Sequence, residues 1–438
     1  MYVTLFSDIL NPDHELLRAA QLINWVGLEQ VLRPYYSPLG RNGKPIRLMV
    51  GIHILKHRYN VSDEQAVASL HENAYWQCFC GFNTFQKGPL LDDTSLVKFR
   101  NRIGSQGLEA IEGVLVQAWQ SLGLVKTKKV SLDTTAQPKH IAYPTDADLM
   151  HRVREKIVRE VKRAHREVAL RKPFRCFTRT SKKVLLQIKK LQRNDPEARK
   201  ASLHELRRMT QRVVRQADRI ANTLYARGHQ ALGRKLNRVV SLGKKVVAQT
   251  GQVLAGEKPD SRIYSLHERK VAVIKKGKTA VDCEFGSLVA LAMNEDGLIL
   301  SHKEYQHNVA DVRTIGPLMV RFQKNTGRSP KEVGADRGFD QSGRKQKSCC
   351  RRWQINRLAV PKKGRTKHPD SDRPWFKKAL KQRIRIEPVI SHLKNDHRMN
   401  RCRYRGVLGD TANVVWATLA WNTKKITSLH RIKRQKRG

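Results

Sequence analysis

Apolar residues recur at helical spacing from about residue 8 to residue 122. The run Arg47-Leu-Met-Val-Gly-Ile-His-Ile-Leu-Lys56 shows this spacing clearly. Ser62-Asp-Glu-Gln65 has the form of a capping box and precedes the apolar Ala66-Val-Ala-Ser-Leu70. Asp93-Thr-Ser-Leu-Val-Lys-Phe-Arg-Asn-Arg102 starts another helix, predicted to carry its Arg and Lys on an exposed side. Short basic helices joined by polar turns suit a helix-turn-helix reader of DNA. They suit a packing or oligomerisation bundle equally well, and spacing alone does not separate the two.

After Leu124 the period changes, and Val130 to Thr135 reads as a short strand. Helical stretches return from Asp146 to about Gln249, including Asp146 to Leu170 and Glu197 to Tyr225. Strand signals resume at Lys270-Val-Ala-Val-Ile274, Ser287 to Met293 and Leu298 to Lys303, with Asn294-Glu-Asp-Gly297 as the hairpin turn between the last two. A helix over Val312 to Gln323 leads to the strand before Asp336, and Asn356-Arg-Leu-Ala-Val360 is a further strand. A basic loop from Pro361 to Pro374 precedes helices from about Trp375 to Asn400 and Thr411 to Ile426. With the helical excursion after Asp133 set aside, the order is strand, strand, strand, helix, strand, helix, strand, helix. The predicted class is therefore α/β: a ribonuclease-H-like core with a helical N-terminal domain and a long basic helical insertion between the first and second core strands. Fold order alone does not confer function.

Charge sharpens the picture. The 438 residues carry a formal net charge of +48, spread over every third of the chain. Between residues 151 and 250 there are 29 Lys and Arg against 7 Asp and Glu. One such run is usually a solvated helix face, but an imbalance this long repels itself unless a polyanion lies nearby. Nucleic acid fits better than a membrane surface. No stretch approaches the roughly 18 apolar residues of a spanning helix, and the basic helices lack a clean aromatic face. The N-terminal Met-Tyr-Val-Thr-Leu-Phe-Ser-Asp has neither the basic start nor the apolar centre of a signal peptide, which predicts a cytoplasmic, nucleoid-associated protein. The seven cysteines include no CxxC pair, and an odd count suits reduced thiols rather than a disulfide framework or a structural zinc site.

Three acids stand in settings that fit one phosphodiester-cleaving site. Asp133 ends Lys129-Val-Ser-Leu-Asp, Asp336 lies between Gly334-Ala and Arg337-Gly-Phe339, and Glu387 precedes Pro388-Val-Ile-Ser-His-Leu-Lys394. Each alone has a plain structural reading, as a turn residue, an arginine partner or a first-turn helix acid. Together, two carboxylates at neighbouring strand ends and one on a later helix can share a pair of magnesium ions roughly 4 Å apart. Such a pair activates a water or hydroxyl and clamps the leaving oxygen. Arg383, Arg385, Lys394, His397 and Arg398 crowd this acid, as a passing DNA strand would require. Pro388 implies that the helix begins or bends there.

Other motifs fail. Gly277-Lys-Thr279 ends like a phosphate loop, but Ala272 stands where the first glycine is needed. His53 and His57 have helical metal-ligand spacing without an HExxH, and read as a helix-surface pair; His267-Glu268 reads as loop or strand-edge chemistry.

These residues resemble the DDE transposases of bacterial insertion sequences, specifically the insertion-sequence-five type. The segment from Tyr35-Tyr-Ser-Pro-Leu-Gly-Arg41 to Tyr75-Trp-Gln-Cys-Phe-Cys-Gly81 is similar to the helical domain preceding their catalytic core. Asp133-Thr-Thr with Tyr143-Pro-Thr-Asp146, then Glu284-Phe-Gly286, Ala335-Asp-Arg-Gly-Phe339 and Glu387 to Lys394 with Asp396-His-Arg398, resemble successive core blocks. The resemblance implies that Asp133, Asp336 and Glu387 are catalytic and hold two Mg2+ ions, with Mn2+ as a substitute. It places Arg383 and Lys394 at the arginine and lysine of the family signature, contacting phosphates near the cleaved end. Beside the resemblance, Arg385, Arg398 and Arg337 are expected as further DNA contacts. The signature's tyrosine falls on Leu380, and Trp375 is the nearby aromatic that could replace it.

The implied organisation is an N-terminal end-binding or dimerisation domain (1–124), a core (125–145 and 262–427), the basic insertion (146–261) and a basic tail (428–438). The implied partners are double-stranded terminal inverted repeats and target DNA, with a homodimer in the synaptic complex and no membrane. Two rivals remain: an inactive or host-adopted basic DNA-binding protein, and a ribonuclease-H-like nuclease without strand transfer.

Overall fold

The computed structural model describes residues 4–40, 43–170, 173–191, 195–278, 281–364 and 366–435, without the side chains of 276–278 and 281–282. Met1-Tyr-Val3, Thr279 of the phosphate-loop-like run and residues 436–438 of the tail lie outside the described residues. The chain divides into two compact units, one comprising Met1–His140 with Ala272–Gly438, the other Ile141–Val271.

The first unit is mixed α/β, with a helical N-terminal region. Its strands are β1 (Lys129–Pro138), β2 (Ala272–Lys278), β3 (Val281–Asn294), β4 (Ile299–Tyr305), β5 (Glu332–Gly334) and β6 (Arg357–Ala359). The sheet runs β2-β3-β1-β5-β6, with β4 also paired to β3. β1 is central, antiparallel to β3 and parallel to β5, with Ser131 opposite Gly334. β5 and β6 are parallel. Leu132, Val289, Leu291 and Val333 are fully buried, and burial of every residue from Leu288 to Met293 explains the continuous apolar run of β3. Asn294 turns the β3–β4 hairpin by accepting hydrogen bonds on Oδ1 from the amides of Asp296 (3.1 Å) and Leu298 (2.9 Å). The first strand of the hairpin system is longer than the patterning implied, because Glu284-Phe-Gly286 continues it into β3.

The N-terminal helices pack into this same unit. Ser62 forms the expected capping box with Gln65. The helix Ile46–Arg58 is enclosed on every side, so His53 and His57 are fully buried rather than a surface pair. His53 Nδ1 lies 2.7 Å from the Met49 carbonyl, and burial beside Arg100 lowers its pKa to about 3. His57 Nδ1 lies 3.2 Å from the His397 carbonyl. Arg100, expected on the exposed side of its helix, also turns inward and donates to Asp63 at 2.8 and 3.0 Å. That helix, Asp93–Ser121, is interrupted at Gly104, whose φ of +57° glycine adopts without a Cβ clash.

A buried ionic network ties this helix to the sheet. Glu112 receives Arg321 at 2.5 Å, and His302 on β4 stands 2.9 Å from Glu112 and 2.5 Å from Glu304. The C-terminal helix, Gly406–Gln435, buries Trp416 against His53 at a ring separation of 4.8 Å.

The second unit contains the helices Asp146–Val168, Thr178–Lys190, Pro196–Ala226 and Gln230–Leu254. Met150, Val153, Ile157, Val161 and Ala164 fall three or four apart and are all buried, while Arg152, Glu155 and Arg159 lie on the other side. Each large aliphatic so buried contributes about 1.5–3 kcal/mol. Thr145 Oγ1 accepts the Asp148 amide at 3.1 Å, and Asp195 Oδ1 accepts the Ala198 amide at 2.9 Å with Pro196 as the first helical residue. No helix among the described residues is long and apolar enough to cross a membrane.

Candidate active site

β1 and β5 part after Ser131 and Gly334, and each carries an acid two residues further on. Asp133 continues β1, opposite Leu291 of β3, and its Oδ1 accepts the Thr134 amide at 2.8 Å. Asp336 leaves β5 and caps the short turn Arg337–Phe339, accepting the Gly338 amide at 2.8 Å. The third acid comes from a helix. The helical stretch from Trp375 to Asn400 divides, as Pro388 implied, into Pro374–Ile384 and Ile386–Asn395, breaking at Arg385, so that Pro388 sits in the first turn where its missing N–H costs nothing. Glu387 is in that same turn.

Arg383 joins the three. Its Nη2 lies 2.9 Å from Asp133 Oδ2 and 3.6 Å from Asp336 Oδ2, and its Nη1 is 2.8 Å from Glu387 Oε1. Gly334 makes this possible: a Cβ there would stand 2.8 Å from the Ala379 carbonyl oxygen, so only glycine lets the Arg383 helix press this closely on β5. Asp133 is buried and Arg383 half-buried, whereas the Glu387 side chain is 58% exposed. Burial raises the Asp133 pKa to about 6; Arg383 and the Thr134 amide oppose that rise, and the charges of Asp336 and Glu387 add to it.

The acids open on a cleft of about 1050 Å³ that also contains Lys394 and Asp311. Lys394 Nζ stands 3.8 Å from Glu284 Oε2, which brings two of the resembling blocks together. Asp311 is a fourth carboxylate that patterning missed. Its Oδ1 accepts Thr134 Oγ1 at 2.8 Å, and burial raises its pKa, with the Thr134 bond opposing and Asp336 adding. In sequence, an acid just before a helix reads as a capping residue, so no signal marked it.

The other cations part company. Arg337 is exposed in the turn after Asp336. Arg385 points to the Glu295 carbonyl at 3.5 Å, and Arg398 donates to the Asn60 carbonyl at 2.9 Å, outside the acidic cleft. His397 is buried against the His57 carbonyl at 3.0 Å. Trp375 packs edge-on against Phe376, 5.5 Å away, and beneath Arg357, and does not line the cleft.

Among the described residues, no three acidic, imidazole or thiol side chains come close enough to share one ion. The reason is local: the Arg383 guanidinium occupies the space among the acids and balances them. Three hard oxygen donors gathered on one cation are nevertheless the donor set that magnesium and manganese prefer.

Two family models match the chain: "Transposase domain (DUF772)" over residues 5–102 and "Transposase DDE domain" over residues 260–423. The second contains Asp336 and Glu387 and begins after Asp133. A protein of Rhizobium meliloti, "Uncharacterized protein ORF8 in nfe locus", is 37% identical over 193 residues, covering 42% of this chain and 91% of that protein. No solved structure matches.

Proposed function

This chain belongs to the DDE transposase family, and from that premise we propose that it binds the terminal inverted repeats of a bacterial insertion sequence of the insertion-sequence-five type, cuts the DNA there and joins the freed 3′ hydroxyl to target DNA. The observation that carries this reading is the convergence of Asp133, Asp336 and Glu387 on one positive charge. Asp133, Asp336 and Glu387 would hold two Mg2+ ions, or Mn2+ in their place. Bound there, the ions supply nucleophile activation and stabilisation of the leaving oxygen.

The chain's own groups supply the rest. Arg383 carries a planar fork suited to a phosphate once it is relieved of balancing the acids, and Lys394 lines the same cleft as a point charge. Burial of Asp133 keeps water from screening charge on that side of the site. The strand order about β1 supports a ribonuclease-H-like core of 125–145 and 262–427. We assign residues 1–124 to end binding or dimerisation, the basic 146–261 to DNA contact, and 428–438 to a basic tail. A pair of ends held together implies a homodimer during synapsis, in the nucleoid of a bacterial cytoplasm.

A labelled, pre-cut transposon end incubated with supercoiled target plasmid and Mg2+ tests the proposal. Joined product is expected from the native chain and not from Asp133→Asn, Asp336→Asn or Glu387→Gln. Cutting without joined product would leave a nuclease, and joining by all three variants would end the assignment.

A further inference from the structure

A second cleft in the first unit, of about 540 Å³, lies apart from the acids and is strongly basic. Its floor is formed by helices of the N-terminal region. Asp63 receives Lys56 Nζ at 2.5 Å and Arg100 at 2.8 and 3.0 Å, so two cations share one carboxylate. Both also lie over the ring of Tyr404, at 4.6 Å for Lys56 and 4.2 Å for Arg100. The wall is the segment Arg398 to Arg405, in which Arg401, Arg403 and Arg405 are exposed while Cys402 is buried and Tyr404 half-buried between them. None of these three arginines has an acidic partner among the described residues, although Glu64 stands at the rim.

This wall is held firmly. The Cys402 amide donates to the Pro138 carbonyl at 2.7 Å and the His140 amide to the Cys402 carbonyl at 2.9 Å, tying the segment to the end of β1. Buried Lys139 fixes it further, with Nζ 2.5 Å from Asp410 Oδ1, 3.0 Å from the Tyr404 carbonyl and 3.1 Å from the Gly406 carbonyl. Burying a lysine to display a row of unpaired arginines gains nothing for stability, since like charges repel. It makes sense as a preformed anion surface.

We infer that this cleft seats the phosphate backbone of double-stranded DNA, with Arg401, Arg403 and Arg405 each addressing a phosphate and Lys56 and Arg100 supplying a positive floor. Arg401, Arg403 and Arg405 come from alternate positions of this pinned, bent segment, and all three line the cleft, so each brings its own guanidinium to a passing strand. The contacts carry no base information, so the site adds affinity and register without adding sequence preference. That the polyanion is DNA rests on the transposase reading; that the cleft binds a polyanion does not.

The test is fluorescence anisotropy of the full chain with a labelled duplex of random sequence, titrated at several salt concentrations. Arg401→Gln, Arg403→Gln and Arg405→Gln together remove three phosphate contacts and should flatten the slope of log affinity against log salt by about 2.7. The loss of affinity between 50 and 200 mM salt should then be about 40-fold smaller than in the native chain. The three Arg→Lys changes should restore the slope. An unchanged slope in the glutamine variant overturns the site, and displacement of the duplex by polyglutamate at equal charge overturns DNA in favour of an acidic protein. If the glutamine variant does not fold, duplex protection of these arginines from phenylglyoxal in the native chain decides, and equal modification with and without duplex overturns the site. Failure of strand transfer with the slope difference intact removes the transposition reading and leaves this site standing; the converse removes the site alone.

Discussion

Replacing Asp133 by asparagine should make the metal-free protein more stable at neutral pH. Asp133 is buried, and its pKa rises from the ordinary 3.8 to about 6 despite the guanidinium of Arg383. A raised value means that the folded chain binds the proton more tightly than the unfolded chain, so ionisation opposes folding. The penalty is absent below pH 3.8, grows between 3.8 and about 6, and is complete above that. At about 1.4 kcal/mol per tenfold change in proton affinity it comes to about 3 kcal/mol at pH 7. Asparagine keeps the acceptor for the Thr134 amide and carries no charge, so it escapes the penalty. For a unit of this size 3 kcal/mol corresponds to a rise of about 5 °C in melting temperature. Differential scanning fluorimetry in EDTA at pH 7 and pH 3.5 reads it directly: the variant should melt higher at pH 7 and level with the native chain at pH 3.5. Adding Mn2+ should close the gap by stabilising the native chain alone. A variant that melts lower at pH 7, or a gap independent of pH, would refute the reasoning.

Further outcomes follow from the same contacts. Arg383→Gln removes the cation competing for the acids, so calorimetry should show Mn2+ binding about tenfold tighter (1.4 kcal/mol), while strand transfer falls for want of a phosphate contact; weaker Mn2+ binding would count against the balancing role. Gly334→Val forces the Arg383 helix away from β5, and a displacement of about 1 Å should cost roughly 100-fold in strand transfer, with melting little changed; full activity would show that the close approach is dispensable. Glu112→Gln leaves Arg321 without its closest buried partner, and chemical denaturation should show a loss of about 3–5 kcal/mol. Burial and Arg321 press on His302, yet Glu112 and Glu304 outweigh them and raise its pKa above 6.5. Its contribution is therefore full below pH 6.5 and lost as pH rises through the folded value, a decline that His302→Gln should abolish in melts from pH 6 to 9.

Much of the framework could be read from residue order. The strand of Asp133 showed as a change of period after Leu124, the strand before Asp336 as a short segment after a helix, and Pro388 marked the helix break at Arg385. Burial of individual polar residues was not legible, because helical spacing says which residues share a face but not how many faces are covered. His53, His57 and Arg100 went inside for that reason. Asp311 was invisible because its neighbours in space, Thr134 and Asp336, are remote in sequence. The basic cluster after Glu387 looked like one patch, yet the helix end at Asn395 and the positive φ of Arg398 send that arginine to the second cleft.

The account stands or falls on whether the three acids are a seat for divalent ions. Anomalous scattering from crystals soaked in manganese measures this directly. Two peaks among the side chains of Asp133, Asp336 and Glu387, with Arg383 displaced from between them, are the expected result. Manganese bound only elsewhere at saturating concentration, with the guanidinium still holding all three carboxylates, would contradict it.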